Sequence, residues 1–343
     1  MRDMGVALSP IIPRRVVTLR YLRGKVIAMD AYGELYQFLA LIRLPGGEPL
    51  RDREGRITSH LVGLAFRVTK LMADFGIRFI FVFDGSPHPL KLKELSRRKK
   101  AREKAYKEWR EALARGDYEK AFSKAVVALS LNREMVNDAK HLLELMGIPC
   151  VQAPHDAEAQ AAHIVLKGEA WAVGSKDYDS LLYGAPRLVR YITITGSEYL
   201  PSKGIVRPLK PEIIELNDVL RQLKLTRRQL IDVAILVGTD YNDGVKGVGP
   251  KTALKLIRLY GCLEKLPRHI REKLPDNYEE VREIFLNPPI TREYELKFKE
   301  PDISGIAEFL EERGFSKARI KTILDRLSRI TPYPLERKLE DWI

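Results

Sequence analysis

Three short apolar segments constrain the fold of this chain more than any other feature of its sequence. They are KVIAMD (25–30), RFIFVFDG (78–85) and WAVGS (171–175). Each ends at an aspartate, an Asp-Gly pair or a Gly-Ser pair, and this pattern is typical of buried strands. Segments with helical periodicity alternate with them, at 31–44, 57–76, 132–146 and 156–167. The alternation predicts an α/β fold with a mainly parallel, twisted central sheet flanked by helices.

Acidic residues occur where such a sheet forms its ligand site, beyond the carboxyl ends of the strands. The acids at these strand ends and in two further segments are Asp30, Asp84, Asp156, Glu158, Asp177, Asp179 and Asp240. Taken singly, each is explained as a helix cap or as a favourable charge at a helix N-terminus. Seven acids from five segments, however, predict one shared site.

Clustered carboxylates repel each other unless cations neutralise them. Oxygen ligands without His or Cys select Mg²⁺, with Mn²⁺ as an alternative. Two such ions, about 4 Å apart, activate a water and stabilise the leaving oxygen in phosphodiester hydrolysis. Asp156 and Glu158 are two residues apart on a predicted helix, so they share one ion only near its first turn and otherwise serve two ions.

The chain is basic, with a formal net charge of +13, which favours a polyanionic partner such as nucleic acid. Its most basic segment, KLKELSRRKKAREKAYKEWR (91–110), holds ten Lys or Arg and three Glu. One interpretation is a solvated helix, but the acids are too few to pair the bases, and we predict a track for phosphates. Lys91 and Arg98, two helical turns apart, are predicted to point at a scissile phosphate.

A second phosphate site is predicted in GVKGVGPKTALKLI (244–257), where a glycine-rich turn leads into a helix opened by Pro250. Backbone N–H groups around Gly247 and Gly249 and the side chains of Lys251 and Thr252 are the expected contacts. The remaining segments, roughly 211–260 and 304–329, are predicted to be amphipathic helices that mainly pack.

The two cysteines, Cys150 and Cys262, have neither zinc-ligand nor disulfide spacing. No apolar run approaches the length of a membrane span, and no signal peptide is recognisable, so a soluble, cytoplasmic protein is expected. The C-terminal ERKLEDWI (336–343) either frays or presents its Leu and Trp-Ile to a partner groove.

These residues resemble the flap endonuclease family of structure-specific 5′-nucleases over essentially the full chain. The matching stretches are AMDAYGELYQFL, TSHLVGLAFR, FVFDGSPHPLK, HLLELMGIPCVQAPHDAEAQAA, SKDYDSLLYG and VGTDYNDGVKGVGPKTA. The resemblance implies a PIN-like 5′-nuclease fold in a single domain and, because no long basic tail follows, an archaeal type. Its implied parts are nuclease regions at 1–130 and 131–331, a helical arch at 88–132, a helix-two-turn-helix at 226–262 and a clamp-binding tail at 332–343.

The resemblance also implies a role for individual residues. The seven acids occupy the family's metal-site positions, and Lys91 and Arg98 match the basic pair at the arch base. Tyr36 matches an aromatic that stacks on a nucleotide, and Arg43 and Arg67 fall where the family contacts DNA near its bend. The implied 3′-nucleotide pocket is Arg313, Ser316 and Arg319, and the implied sliding-clamp motif is Glu336, Leu339, Trp342 and Ile343.

Four departures from the family pattern stand out. Asp156 replaces the usual Glu, which shortens one carboxylate by a methylene. Gly244 replaces a hydroxyl residue near a monovalent-cation site, which leaves carbonyls such as those of Val245 and Val248 as expected ligands. The family start, Met-Gly, falls at Met4-Gly5. In the clamp motif, Glu336 stands in place of the usual Gln, and Trp342-Ile343 stands in place of the two terminal aromatics.

The sequence therefore predicts an Mg²⁺-dependent 5′-flap endonuclease with 5′–3′ exonuclease activity, in which water cuts DNA near a junction during replication and repair, including Okazaki fragment maturation. Its expected partners are flap DNA and a sliding clamp; no membrane partner is expected, and the protein is expected to be a nucleoid-associated monomer. A bubble-cutting relative is disfavoured because the arch segment spans only about 45 residues from 88 to 132. A non-catalytic nucleic-acid scaffold is the alternative from another class.

Overall fold

The structure, a computed structural model, describes residues 6–44, 47–194, 196–200 and 205–330. Its strands are β1 (Arg15–Val16), β2 (Val26–Asp30), β3 (Arg78–Phe83), β4 (Cys150–Gln152), β5 (Ala172–Gly174), β6 (Arg187–Arg190), β7 (Gly196–Leu200), β8 (Ile205–Leu209) and β9 (Glu212–Glu215). Seven of them form one sheet in the order β1-β9-β6-β5-β2-β3-β4, and β7 pairs with β8. The pairings from β6 to β4 are parallel and those of β9 are antiparallel. The predicted mainly parallel sheet is confirmed.

Helices surround this sheet. Those before residue 130 are α1 (Ala31–Leu41), α2 (Ser59–Gly63), α3 (Thr69–Phe75), α4 (Leu92–Ala114) and α5 (Tyr118–Ala128). The next are α6 (Arg133–Leu145), α7 (Ala157–Leu166), α8 (Asp179–Leu182), α9 (Leu216–Leu223) and α10 (Arg227–Val237). The last are α11 (Pro250–Tyr260), α12 (Arg268–Arg271), α13 (Tyr278–Leu286), α14 (Ile303–Glu312) and α15 (Lys317–Leu327). A π-helical segment, Leu64–Val68, joins α2 to α3. In the part of the chain that the structure describes, none of these helices has the length and apolarity needed to cross a membrane.

One predicted helix is wrong at its start. The segment from 211 was expected to be helical, but Glu212–Glu215 is strand β9, which pairs with β6 and β1. Ile213 and Ile214 are both almost fully buried, at 2% and 1% exposure, and they belong to the cores on opposite faces of the sheet. Two adjacent β-branched residues buried on opposite sides fit a strand rather than an amphipathic helix.

The predicted arch is a helical hairpin. At 1.5 Å per residue, the 23 residues of α4 span about 34 Å. The helix turns back into α5 through Gly116, whose φ is +71°. Trp109 and Ala112 of α4 pack on Ala121 and Ala125 of α5 in a small core of their own. The predicted arch segment is therefore a helical hairpin with a small core of its own.

The segment predicted to be a helix-two-turn-helix, 226–262, contains α10 and α11. Thr226 and Gln229 make a reciprocal capping box at the start of α10, which satisfies two otherwise unpaired backbone N–H groups. Gln229 Nε2 also donates to the Gly261 carbonyl just beyond α11, at 3.0 Å. These contacts join the start of α10 to the end of α11, so the two helices are held together at the ends opposite the glycine-rich turn.

Candidate active site

The carboxyl ends of β2, β3 and β5 lie side by side, because Asp30 is in register with Val82 and Met29 with Gly174. This register places Asp30, Asp84 and the segment after Gly174 at one edge of the sheet. A Cβ on Gly174 would lie 2.1 Å from Met29 Sδ, so only glycine permits the close approach of β5 to β2.

Asp84 ties the end of β3 to the start of α7. Its Oδ1 accepts a 2.7 Å hydrogen bond from the Ala157 backbone N–H. Next to it, the Gly85 N–H donates to the His155 carbonyl at 2.7 Å. A Cβ on Gly85 would lie 2.2 Å from the carbonyl oxygen of Ala153 and equally close to that of Pro154. The tight contact between these loops therefore requires glycine and fixes the two acid-bearing segments together.

The two acids at the start of α7 face different partners, as their spacing predicts. Asp156 stands at the N-cap position but makes no side-chain cap; instead its carboxylate accepts a 2.7 Å hydrogen bond from Lys91 Nζ. Glu158 accepts a 2.8 Å hydrogen bond from the Ser175 hydroxyl, which follows β5. Capping therefore does not explain Asp156, whereas Asp30 does cap α1 by accepting from the Gly33 N–H at 3.1 Å.

The remaining three acids approach from other segments. Asp177 follows Ser175, and its N–H donates to the Ser175 hydroxyl at 3.2 Å. Asp179 is 4% exposed and accepts a 3.0 Å hydrogen bond from the Val6 N–H. Asp240, which follows α10, accepts a 2.6 Å hydrogen bond from Arg98.

Burial makes ionisation of these acids unfavourable. It raises the pKa of Asp30 to about 6 and the pKa values of Asp84 and Asp179 to about 7, since the charged carboxylate loses its hydration. It also raises the pKa values of Glu158 and Asp177 well above their ordinary range. These acids hold their protons far more strongly than solvated carboxyl groups do.

Mutual repulsion is the next cause and shows that the acids are neighbours. Asp30 raises the pKa of Asp84. Asp179 and then Asp177 raise the pKa of Glu158. Asp240 raises the pKa of Asp179. The acids that the sequence singles out therefore form one connected electrostatic cluster, although they come from five segments.

The base of the arch supplies positive charge to this cluster. Burial alone would raise the pKa of Asp156, but the Lys91 ammonium, together with hydrogen bonds from Tyr183 and Tyr241, outweighs it and the pKa is lowered. Burial alone would likewise lower the pKa of Lys91, and Asp156 raises it instead. Arg98 contacts Asp240 at 2.6 Å, and Lys91 Nζ lies 4.0 Å from the same residue. Both predicted cations thus point into the acid cluster.

The donor set fits hard divalent cations. The cluster offers carboxylate oxygens and no His or Cys ligand, which suits Mg²⁺ or Mn²⁺. The raised pKa values show an excess of buried negative charge that a cation would relieve. Across the described residues, no three acid, His or Cys side chains are already arranged at metal-binding distances. In this arrangement, Lys91 and Arg98 supply part of the positive charge that neutralises the acids.

The predicted DNA contacts near the arch already have protein partners. The Tyr36 hydroxyl accepts a 3.2 Å hydrogen bond from Arg102 of α4. Arg43 donates to the carbonyls of Ala40 and Gly47 at 3.1 and 2.8 Å, and burial lowers its pKa to about 10. Arg67 lies in the π-helical segment. Their contacts with DNA stay predictions.

The glycine-rich turn is open to a ligand. Gly247 has a φ of +85°, and no atom lies within 4 Å of a Cβ built on Gly247 or on Gly249. Gly249 caps α11 without a side-chain hydrogen bond. Lys251 and Thr252, in the first turn of α11, are exposed. Gly247, Gly249 and the Lys251 side chain are therefore exposed to solvent together at this turn.

The predicted 3′-nucleotide pocket contains residues with structural partners. Arg313 forms a bidentate pair with Asp138 at 2.9 and 2.7 Å. Ser316 caps α15 by accepting from the Arg319 N–H at 3.4 Å. The pocket stays a prediction. The clamp motif of Glu336, Leu339, Trp342 and Ile343, like Met4-Gly5, lies outside the described residues.

Sequence reasoning missed several residues of the site. Tyr183 and Tyr241 contact Asp156, the Val6 backbone contacts Asp179, and Asp243 pairs with Lys93 at 2.5 Å. Tyr241 directly follows Asp240 and Asp243 lies three residues after it, and this proximity in sequence is the signal that points to them. The Val6 contact joins segments 173 residues apart and has no local signal.

Comparisons with known proteins show which family the chain resembles. The chain matches the family models of the XPG N-terminal domain over residues 4–105 and the XPG I-region over residues 147–240. Flap endonuclease 1 of Staphylothermus marinus is 49% identical over 349 residues, which cover 99% of each chain. Flap endonuclease 1 of Pyrococcus furiosus is 49% identical over 341 residues, again covering 99% of each.

Solved structures show the same architecture. The flap endonuclease-1 from Methanococcus jannaschii superposes with a TM-score of 0.75 at 40% identity, covering 95% of this chain and 99% of that one. The catalytic core of Rad2 in complex with a DNA substrate gives a TM-score of 0.68 at 24% identity, covering 93% and 97%. At that identity the second likeness concerns the fold alone.

Proposed function

The chain belongs to the flap endonuclease family, and from this premise we propose how its own residues carry out flap cleavage. As a family member it is a structure-specific nuclease that hydrolyses DNA phosphodiesters, and its fold is the PIN-like nuclease fold. We infer that it cuts the 5′-flap strand near the junction with duplex and leaves a 5′-phosphate. Its work would lie in DNA replication and repair, inside the cell at the nucleoid.

One observation carries this proposal: Lys91 and Arg98 of the arch contact Asp156 and Asp240 of the acid cluster at 2.7 and 2.6 Å. A phosphodiester drawn toward the two cations would lie directly at the carboxylates. Such a juxtaposition suits hydrolysis of a phosphate ester and has no evident use in a passive scaffold.

Two Mg²⁺ ions are proposed to be held by the seven acids, Asp30, Asp84, Asp156, Glu158, Asp177, Asp179 and Asp240. Bound there, the ions would activate water and stabilise the leaving oxygen. Lys91 and Arg98 would draw the scissile phosphate to the cluster and offset the negative charge that develops on it. Ser175 and the Val6 N–H would keep Glu158 and Asp179 in place through their hydrogen bonds.

Duplex DNA is proposed to bind at the glycine-rich turn. Lys251, Thr252 and the open backbone at Gly247 and Gly249 would take a phosphate at the start of α11. A monovalent cation, held by carbonyls such as that of Val245, would strengthen this grip. Tyr36, Arg43 and Arg67 would contact DNA near its bend, and Arg313, Ser316 and Arg319 would receive a 3′ nucleotide.

The protein is further proposed to act as a monomer that a sliding clamp recruits through Glu336, Leu339, Trp342 and Ile343. The motif departs from the family's usual form, so a modest affinity for the clamp is expected. Exonuclease action from a 5′ end would use the same acids.

The experiment that tests the proposal is single-turnover cleavage of a 5′-flap substrate labelled on the flap strand, in Mg²⁺ and in EDTA. Matched bubble, blunt-duplex and single-stranded substrates report structure specificity. We expect Mg²⁺-dependent cutting at the flap junction and a product with a 5′-phosphate. Binding of the flap without any cutting in Mg²⁺ or Mn²⁺ would instead indicate a scaffold.

A further inference from the structure

A buried pair of tyrosines contacts Asp156. Tyr183 and Tyr241 are 3% and 5% exposed. The Tyr183 hydroxyl donates to Asp156 Oδ2 at 2.6 Å and lies 2.6 Å from the Tyr241 hydroxyl. The Tyr241 hydroxyl also hydrogen-bonds to Oδ2. Together with Lys91 on Oδ1, the two hydroxyls surround the carboxylate with donors.

The Tyr241 ring also contacts Lys91. The Lys91 ammonium lies 4.9 Å from the centre of this ring, over its face. His88 meets the ring edge-on at 5.9 Å, and Phe285 packs against both tyrosines at 5.0 and 5.4 Å. Tyr241 therefore touches an acid and a cation of the site at once, while its ring is locked by packing.

The placement of the pair depends on two acid-bearing segments. Tyr183 directly follows α8, which begins at Asp179, and Tyr241 directly follows Asp240. Each tyrosine therefore links Asp156 to a segment that carries another acid of the cluster.

We propose that Tyr183 and Tyr241 are positioning residues, whose hydroxyls hold the Asp156 carboxylate, and with it Lys91, in the orientation needed for metal and phosphate. A buried carboxylate that loses a hydrogen-bond donor turns toward other partners. The inference deepens the proposed function and rests on it.

The first test compares Tyr183→Phe and Tyr241→Phe with the wild type. Loss of one hydrogen bond to a charged group corresponds to about a 10- to 100-fold change. We expect the single-turnover rate to fall by that factor and the half-saturating Mn²⁺ concentration, measured by electron paramagnetic resonance without DNA, to rise by about tenfold. Flap affinity in Ca²⁺ and the Tm in EDTA should stay near those of the wild type.

Tyr294→Phe is the matched control. Its hydroxyl also donates to a carboxylate, Glu169, at 2.5 Å, but Glu169 is exposed and is not among the acids of the cluster. This variant should cut and bind Mn²⁺ as the wild type does.

Tyr241→Leu, which also removes the ring under Lys91, should be slower than Tyr241→Phe.

The second test is a double-mutant cycle between Asp156→Glu and Tyr183→Phe. The extra methylene of Glu would be crowded by the Tyr183 hydroxyl, and Phe removes that atom. We expect the double variant to cut at least about tenfold faster than Asp156→Glu alone. If the effects of the two substitutions on the cleavage rate simply multiply, positions 156 and 183 are not coupled and the inference is overturned.

The outcomes separate this inference from the proposed function. If the wild type cuts flaps and both Tyr→Phe variants match it in rate and in Mn²⁺ affinity, the positioning role is wrong and the nuclease function stands. If both variants lose Tm and flap affinity in step with rate, the tyrosines serve folding and the inference is also overturned. A wild type that binds flaps and never cuts them overturns both.

Discussion

Lys91 Nζ lies 2.7 Å from Asp156 Oδ1, so the first cation of the arch is in direct contact with an acid at the edge of the sheet. Seven residues later, Arg98 makes the corresponding contact with Asp240 at 2.6 Å. Two helical turns thus carry two cations to two acids from different segments. These two ion pairs connect the arch to the edge of the sheet, and the proposed chemistry depends on both contacts.

Lys91→Ala and Arg98→Ala should each slow cleavage much more than they weaken binding, because the two charges act on negative charge that develops at the phosphate. Loss of one such donor typically costs about 10²–10³ in rate. Single-turnover cleavage and flap affinity in Ca²⁺ provide the comparison. Lys167→Ala, at an exposed position at the end of α7 remote from the acids, is the charge-matched control. Weaker binding with an unchanged single-turnover rate would show that Lys91 and Arg98 only attract the DNA electrostatically and do not assist the chemical step.

The buried acids predict a pH dependence of stability for the metal-free protein. The folded-state pKa values of Asp84 and Asp179 are about 7 and that of Asp30 is about 6, against about 4 in an unfolded chain. Between those limits the folded state holds protons that the unfolded state has released, so stability falls as the pH rises. The Tm in EDTA should therefore decrease from about pH 5 to about pH 7.5.

Mg²⁺ should reverse this trend, since bound cations take the place of the protons. The rise in Tm that Mg²⁺ causes should be larger at about pH 7.5 than at about pH 5. Differential scanning calorimetry across this range, with and without Mg²⁺, checks both statements. A Tm in EDTA that climbs with pH would mean that burial and mutual repulsion do not raise the pKa values of these acids in the folded protein.

The glycine-rich turn predicts a salt-dependent grip on duplex DNA. Lys251→Ala should weaken binding to all duplex substrates alike and reduce the slope of log affinity against log salt by about 0.9, the loss of one phosphate contact. Lys273→Ala, at an exposed position after α12, is the control. Fluorescence anisotropy over a salt series gives the slopes, and equal slopes for Lys251→Ala and the wild type would rule out the contact.

The positions of the acids could be predicted because they depend on local pattern and a topological rule. Asp30 and Asp84 end runs of apolar residues whose parallel pairing follows from the alternation of strand and helix. Lys91 and Arg98 could be placed because helical spacing is fixed. In each case the relevant information lies within a few residues of the site residue.

The tyrosine contacts and the antiparallel strand could not be predicted, because their information is distributed along the chain. Tyr183 and Tyr241 meet across 58 residues, and no local pattern distinguishes a hydroxyl that reaches Asp156 from one that reaches solvent. The local sequence of strand β9 predicts a helix. Its two neighbours in the sheet and the cores on both faces, which make it a strand, come from distant parts of the chain. Arg313 looks free for a ligand in the sequence, yet Asp138 binds it across 175 residues.

Deletion of residues 336–343 should abolish stimulation by the organism's own sliding clamp and leave clamp-free cleavage unchanged, because the tail lies beyond the acids and the arch in sequence. Cleavage with increasing clamp concentration is the measurement. A double substitution, Leu339→Ala with Trp342→Ala, should behave as the deletion does, since apolar anchors dominate such grooves. Full stimulation of the truncated protein would show that residues 336–343 do not bind the clamp.

The central claim is that the acids form a metal site, and Asp177→Asn combined with Asp179→Asn tests it most directly. Asn keeps the volume and can still accept the hydrogen bond from the Val6 N–H, while two negative charges are lost. The decisive measurement is single-turnover flap cleavage in Mg²⁺, with flap affinity in Ca²⁺ and the Tm in EDTA as controls for folding. We predict a folded double variant that binds DNA at least as well as the wild type and has almost no cleavage activity. A folded, DNA-binding variant that cuts within about tenfold of the wild-type rate would contradict the account.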